Sequence, residues 1–339
     1  MTIKTFVRQS IIILIFFLFC LINKSFASDS TQLQIPGKVS AKIFSNFHTY
    51  INSGDNALAF EITRAYFGYE NKFSKHFEAN VKLDIGSPED LSEFSKIRRY
   101  AYFKNAYLKY NYKRISSYFG IIDLMHFKLQ ENFWAHRYIE KSFNDRYRFG
   151  NTADLGWLVN YDWAKWLSVD FTIMNGEGYT NLQNDNTLET GAGITVIPVI
   201  NMTTRLYCDY TSKSTDQFTL ATFVGYAKKE KYSIGVEYNY RFNDKHKQGY
   251  DKYGYSFYGY YNIIKKLQLF GRFDKLSSNM PDDTTIPWNL TEDGSSIIGG
   301  LEYSPVKQVK LALDYQDWFP YAQNEDNEQL IYLNLEITF

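Results

Sequence analysis

The residues best suited to chemistry lie in one long segment, Met125 to Ala153, which we call L3. It carries five basic and three acidic residues, together with His126 and His136. Arginine and lysine side chains can replace the hydration shell of an anion, so a segment of this kind can act on charged solutes. We therefore place the candidate site in L3, on the following charged residues: Lys128, Arg137, Lys141, Arg146, Arg148, Glu131, Glu140 and Asp145.

Two structural alternatives for L3 stay open. Its basic groups could simply pair with its own acids and with neighbouring elements, which would hold the segment in place. Its aromatic residues indicate a small packing cluster rather than a platform for stacking sugars: Phe133, Trp134, Tyr138 and Phe143.

Catalytic motifs are missing from the sequence. There is no G-x-S-x-G, H-E-x-x-H or C-x-x-C pattern, so neither a nucleophile elbow nor a standard metal site is predicted. His126, Glu131 and His136 could in principle gather round a metal, but their five-residue steps match no helical face. A hydrolase would need a Ser/His or Asp/His pair that we cannot identify. We expect no enzyme, no metal and no cofactor.

The elements that must position L3 are predicted to be β-strands. The last ten residues, Leu330 to Phe339, alternate apolar and polar side chains, as do Phe77 to Ile85, Leu167 to Met174 and Tyr232 to Arg241. Tyr (29) and Phe (27) are abundant, yet the mean hydropathy is −0.38, which excludes a helical membrane protein. A membrane β-barrel fits, because only every second residue of a strand faces lipid.

Sixteen strands are predicted, and the connections between them alternate between short turns and long segments, of which L3 is the third long one. This sorting favours an all-β, transmembrane antiparallel β-barrel of about 16 strands over a soluble β-sandwich or a two-domain β protein. No stretch predicts a substantial helix. The predicted strands are 38–50, 57–69, 77–86, 100–111, 114–124, 154–162, 167–175, 188–197, 199–210, 217–227, 231–242, 253–262, 265–275, 294–303, 307–316 and 328–339.

The amino-terminal residues 1–27 are predicted to be a cleaved signal peptide. Two basic residues precede the apolar run from Ile11 to Ile22, and a small-x-small pattern ends at Ala27. Twelve apolar residues are too few to cross a bilayer as a helix, so a short membrane anchor is the weaker alternative. The mature chain, 28–339, keeps 34 basic and 37 acidic groups, and this balance argues against a nucleic-acid partner. Its one cysteine, Cys208, can form no intramolecular disulfide.

Six short motifs follow one another along the chain: Arg64 to Tyr69, Lys104 to Tyr110, Glu131 to Trp134, Arg137 to Ser142, Asp154 to Gly156 and Asn175 to Tyr179. In this order and spacing they resemble the phosphate-selective porin O and P family, in its version from Bacteroidetes-like bacteria. The resemblance covers essentially the whole mature chain. It implies a sixteen-stranded outer-membrane barrel, usually a homotrimer, whose third extracellular loop, here L3, folds inward and constricts the pore.

The function implied is passive diffusion of small hydrophilic solutes across the outer membrane. Because L3 has a surplus of only two basic residues and the predicted lumen mixes both signs, we expect at most a weak preference for anions such as phosphate. A non-conducting barrel that serves as a scaffold or surface-binding protein is the alternative. Expected partners are outer-membrane lipid and the barrel-assembly machinery, which reads the carboxy-terminal strand. Residues assigned to the lumen are Lys82, Asp84, Arg205, Arg241, Arg272 and Lys310.

Overall fold

The structure is a computed structural model that describes residues 37–51, 58–86, 99–282 and 284–339. The predicted signal peptide, residues 1–27, lies outside these residues and stays a prediction. Within the described ranges, sixteen strands form one closed antiparallel barrel. Each strand pairs with its neighbours along the chain, and the first strand closes the barrel by pairing with the last.

The strands agree with the predicted ones to within four residues at either end, so the predicted fold is confirmed. They are β1 (Lys38–Tyr50), β2 (Leu58–Lys72), β3 (Phe77–Gly86), β4 (Tyr100–Tyr112), β5 (Ile115–Asp123), β6 (Ala153–Ala164), β7 (Leu167–Met174), β8 (Glu189–Val196), β9 (Met202–Thr211), β10 (Gln217–Lys228), β11 (Tyr232–Phe242), β12 (Lys252–Ile264), β13 (Leu267–Ser278), β14 (Gly294–Val306), β15 (Val309–Pro320) and β16 (Glu328–Thr338).

The alternating terminal strand closes the barrel. Lys42 of β1 lies opposite Thr338 of β16, and Tyr50 lies opposite Leu330. The amide of Phe339 adds a further bond of 2.8 Å to the carbonyl of Ala41. A closed barrel leaves no strand edge unpaired, which satisfies the backbone without disulfides.

The two faces of the wall differ in polarity. Large apolar side chains such as Phe60, Phe119 and Leu313 are exposed on the outside, while acidic and basic side chains such as Asp274 and Arg205 are buried on the inside. A soluble protein has the opposite arrangement. Apolar residues outside and polar residues inside are what a membrane barrel requires.

L3 folds into the barrel and forms two helices, α1 (Met125–Trp134) and the short α2 (Phe143–Arg146). Neither helix was predicted from the sequence. Their apolar side chains pack against the inner wall, and the main cluster contains Phe44, Trp134, Tyr138, Phe223, Tyr258, Phe270, Ile298 and Ala312. The only large apolar core of the described residues therefore lies between L3 and the wall.

None of the helices in the described ranges is long and apolar enough to cross a membrane.

Candidate functional site

Helix α1 is amphipathic, and its buried face holds L3 against the wall. His126, Gln130 and Trp134 repeat at four-residue spacing and are fully buried. The ring of His126 stacks on Tyr207 of β9 with centroids 4.9 Å apart. Asn144 Nδ2, which comes from the start of α2, donates to His126 Nε2 (2.8 Å) and to Gln130 Oε1 (2.6 Å). These contacts join both helices of L3 to each other and to the barrel.

The tip of L3 is fixed by a buried carboxylate. The hydroxyl of Tyr138 donates to Glu302 Oε2 of β14 (3.0 Å), and His136 Nε2 lies 3.5 Å from the same oxygen. The Nδ1–H of His136 donates to the carbonyl of Trp134 (2.7 Å). Burial lowers the pKa of His136 to about 4, although Glu302 acts in the opposite direction. His136 is therefore neutral at pH 7.

Basic side chains of the wall hold the carboxy-terminal half of L3 by its carbonyl groups. Arg241 of β11 donates to the carbonyls of Arg148 (3.1 Å) and Phe149. Lys252 of β12 donates to the carbonyl of Tyr147 (3.1 Å). A guanidinium or ammonium group bound to several carbonyls fixes the backbone without depending on the side chains of L3.

Two wall glycines give L3 room to approach this closely. A Cβ atom at Gly225 would lie 2.4 Å from the ring of Phe133, and one at Gly254 would lie 2.7 Å from the ring of Phe143. Cβ atoms do not come this close to other heavy atoms in folded proteins, so a larger residue at either position would force neighbouring atoms to move. At Gly225 the ring of Phe133 is the nearest obstacle, whereas at Gly254 the carbonyl oxygen of Lys275 lies closer still, at 2.3 Å.

L3 leaves a cavity of about 460 Å³ between itself and the wall formed by β1 to β4, and we call this cavity the opening. Its lining combines charged, hydroxyl and aromatic groups. The lining residues are Phe44, Asn46, Thr63, Arg64, Asp84, Gly86, Tyr102, Arg137, Tyr138, Ile139, Glu140, Lys141, Tyr179 and Thr180.

The wall side of the opening carries an arginine and a carboxylate. Arg64 Nε lies 3.4 Å from Asp84 Oδ1, and Arg64 Nη1 donates to the hydroxyl of Tyr66 (3.2 Å). The hydroxyl of Tyr179 donates to Asp84 Oδ2 (2.7 Å). Burial, with the Asp84 carboxylate adding to it, raises the pKa of Tyr179, which stays protonated.

The L3 side of the opening carries Arg137, which is held between two acids. Its Nε lies 3.3 Å from Glu131 Oε1, and its Nη2 donates to Asp145 Oδ2 (3.1 Å). Glu140 accepts a 2.7 Å bond from the amide of Lys141 and lies 3.5 Å from Arg146. Cations and anions therefore lie side by side at the opening, and both guanidinium groups that line it have a carboxylate within 3.5 Å.

Of the eight L3 residues selected from the sequence, three line the opening: Arg137, Glu140 and Lys141. Arg146 does not line the opening and instead contacts the wall. It lies 3.9 Å from Asp274 of β13 and donates to Ser296 of β14 (3.1 Å). Lys128 is exposed on the outer side of α1, 4.0 Å from Asp123. Arg148 is exposed, with a left-handed backbone (φ 56°).

Of the six residues assigned to the lumen, Asp84 lines the opening. Arg205 and Arg272 are interior but nearly inaccessible, because they pair with Asp170 and Asp274, each at 2.7 Å. Arg272 also donates to the carbonyl of Lys141.

The other lumen residues lie beside or beneath L3. Lys310 Nζ lies 3.7 Å from Glu302 and 3.5 Å from the carbonyl of Ala135. Lys82 is half-buried in the interior. Arg241 binds L3 as described above. Three of the six, Arg241, Arg272 and Lys310, bind carbonyl groups of L3, and only Asp84 lines the opening.

Arg64, Tyr66 and Tyr179 were not predicted as site residues, although all three lie in motifs that carry the resemblance. Among the described residues no group of three or more His, Cys, Asp or Glu side chains is placed to hold a metal ion. His126 and His136 lie in separate environments, against Tyr207 and Glu302 respectively.

No family model matches the chain, and no curated protein sequence matches it. Solved structures do match it. The outer membrane channel DcaP of Acinetobacter baumannii has a TM-score of 0.66 at 13% identity, over 89% of this chain and 97% of that one. OmpF of Salmonella typhi, solved in complex with daunomycin, has a TM-score of 0.67 at 10% identity over 89% and 97%. OmpT of Vibrio cholerae in its trimer form has a TM-score of 0.59 at 12% identity over 90% and 99%.

At these identities the likeness is one of fold. The chain has the sixteen-stranded barrel fold of outer-membrane porins, with L3 folded inward. These comparisons do not test the resemblance to the porin O and P family, which stays a prediction.

Proposed function

We propose that the protein is an outer-membrane porin and that small hydrophilic solutes diffuse through it along the opening. The observation that carries this proposal is the opening itself, a polar cavity bounded by L3 and by β1 to β4 inside a barrel with an apolar outer face. Passage would involve no chemical step. Solutes would be selected by size and by the field of the charges at the narrowest point.

The charges at the opening support a weak preference for anions. Arg64, Arg137 and Lys141 line it on the basic side, against Asp84 and Glu140 on the acidic side. The surplus is one positive charge. Because both guanidinium groups are paired with carboxylates, neither is free to replace the full hydration shell of a phosphate ion. We therefore propose small anions, phosphate among them, as preferred but not exclusive solutes, as the resemblance to the porin O and P family implies.

Location and assembly form part of the same proposal. The outer apolar face suits a lipid bilayer, and the aromatic residues near strand ends suit its interfaces, as with Trp163, Trp166, Tyr210 and Tyr261. We propose that the chain is exported by its signal peptide and inserted by the barrel-assembly machinery through β16. A homotrimer is supported by the trimer form of the structural neighbour from Vibrio cholerae.

Single-channel recording of the purified protein in planar bilayers tests this function. The reversal potential is measured across a KCl gradient and again with added phosphate. We expect stable conductance steps in groups of three, a modest anion preference and partial block by phosphate. Folded, heat-modifiable protein that gives no steps would refute the porin function and favour the non-conducting scaffold.

The charge variant Arg137→Gln tests the selectivity. It should move the reversal potential toward cation preference, because it removes the arginine that L3 presents to the opening. Arg148→Gln is the matched control, since its exposed side chain does not line the opening. An unchanged reversal potential in Arg137→Gln would contradict the assigned anion preference.

A further inference from the structure

A second segment besides L3 enters the opening. Residues 175–180, which follow β7, contribute Tyr179 and Thr180 to its lining. Tyr179 reaches across to β3, where its hydroxyl donates to Asp84 Oδ2 (2.7 Å). The long loop that contains it was not assigned to the site by the sequence.

The base of this segment is pinned by one carboxylate. Asp154 Oδ2 accepts hydrogen bonds from the amides of Gly176 (2.7 Å) and Gly178 (3.2 Å). The amide of Tyr179 donates to the carbonyl of Ala153 (3.1 Å). Both glycines have positive φ, at 92° and 82°, a conformation that other residues rarely adopt. The backbone that carries Tyr179 is thus held in a defined position.

The ring of Tyr179 is held as firmly as its hydroxyl. Lys104 Nζ lies 4.4 Å from the ring centroid, within the range of a cation–π contact. Lys104 is itself fixed by a hydrogen bond to Thr152 Oγ1, at the end of L3. The Tyr179 side chain therefore cannot swing out of the opening without breaking contacts to β3 and β4.

We propose that Tyr179 is a specificity-determining residue of the channel, because its ring limits the width of the opening and its hydroxyl shields the Asp84 carboxylate from passing ions. Two elements then form the constriction: L3 on one side and residues 175–180 on the other. This inference rests on the proposed channel function and assigns the opening a determinant outside L3.

Two substitutions at Tyr179 separate the two effects. Tyr179→Ala removes the ring, so the unitary conductance should rise and larger sugars should enter liposomes in a swelling assay. Tyr179→Phe keeps the ring but removes the donor to Asp84, so the size limit for sugars should stay below that of Tyr179→Ala while the reversal potential shifts toward cations. The double variant Tyr179→Phe/Asp84→Asn should abolish that shift, because the exposed carboxylate is gone.

Tyr118→Ala is the matched control. Tyr118 also pairs with a lysine, Lys109, at 5.2 Å from the ring centroid, but it does not line the opening. Its conductance should equal that of the wild type. Wild-type conductance and size limit in Tyr179→Ala, in channels that otherwise conduct normally, would overturn the role of Tyr179 and leave the porin function standing. Absence of current from the wild-type protein would refute the porin function, and this inference with it.

Discussion

Arg241 provides a quantitative test of how L3 is held inside the barrel. Its side chain donates to the carbonyls of Arg148 and Phe149, and Phe149 is 1% exposed. In Arg241→Met the Phe149 carbonyl loses its donor in a place that water does not reach. An unpaired buried acceptor costs about 1–3 kcal/mol. Lys252 remains 3.5 Å from the Arg148 carbonyl, so that second group adds little to the loss.

The loss of these two carbonyl bonds should appear as local opening of L3, whereas the loss of the Arg241 contacts with Thr219 and Asp244 should appear in the stability of the wall. Amides of residues 146, 147 and 149 are hydrogen-bonded within L3, and hydrogen exchange reports how often those bonds break. We expect exchange in this stretch to accelerate about 5- to 150-fold, the equivalent of 1–3 kcal/mol.

Arg114→Met is the matched control, because Arg114 also donates to a carbonyl, that of Trp163 (2.7 Å), but is exposed. In Arg114→Met the hydrogen exchange of the L3 amides should change by the equivalent of no more than about 0.5 kcal/mol. Exchange of residues 146–149 at the wild-type rate in Arg241→Met would refute the reasoning and show that other contacts hold L3.

Two further predictions concern the docking of L3. A Cβ at Gly254 would lie 2.3 Å from the carbonyl oxygen of Lys275, so Gly254→Ala should lower the free energy of unfolding in urea by about 1–3 kcal/mol, whereas Gly271→Ala, whose Cβ has its nearest neighbour at 3.8 Å, should not. Equal midpoints for the two variants would contradict the close-packed wall. Burial in the docked state lowers the pKa of His136 to about 4, so between about pH 6.5 and about pH 4 a proton binds to released L3 more readily than to docked L3. The free energy of docking should therefore weaken by about 3 kcal/mol as the pH falls through this range. Hydrogen exchange of residues 134–140 against pH measures this, and His136→Phe should flatten the profile; an equally steep profile in that variant would assign the effect to another group.

Strand alternation predicted the barrel because each strand has to satisfy two environments at once. In Phe77 to Ile85 every second residue faces the outside and the others face the interior, so the alternation in the sequence is enough to predict the strand. No comparable pattern in the sequence predicted the helix α1. Its ten residues depend on contacts with β9 to β12, which lie far from it in sequence.

The structure shows why Arg64 and Tyr179 were not predicted to line the opening. Phe60 and Ile62 are exposed on the outer face, so strict alternation would turn Arg64 outward as well. A bulge in β2 reverses the alternation before Arg64 is reached. The bulge is visible in the pairing with β1, where Phe44 lies opposite Arg64 but the next residue, Ser45, lies opposite Ile62. Tyr179 lies in a loop, where no periodicity exists to indicate direction.

The charged residues of L3 were selected from the sequence as candidates, but their separate positions could not be read from it. Arg137 and Arg146 are alike in type and in their acidic neighbours. Only the fold turns Arg137 to the opening and gives Arg146 a second partner on β13. A surplus of basic residues in L3 therefore overstated the charge that faces a solute.

The central claim, that ions cross the barrel through the opening, is tested most directly by chemical block. Asn46 lines the opening on β1. In Asn46→Cys, made in a Cys208→Ser background, a charged thiosulfonate reagent should reduce the single-channel current, and Leu313→Cys, on the exposed outer face, should be unaffected. Unchanged current from Asn46→Cys that mass spectrometry shows to be fully modified would contradict the account.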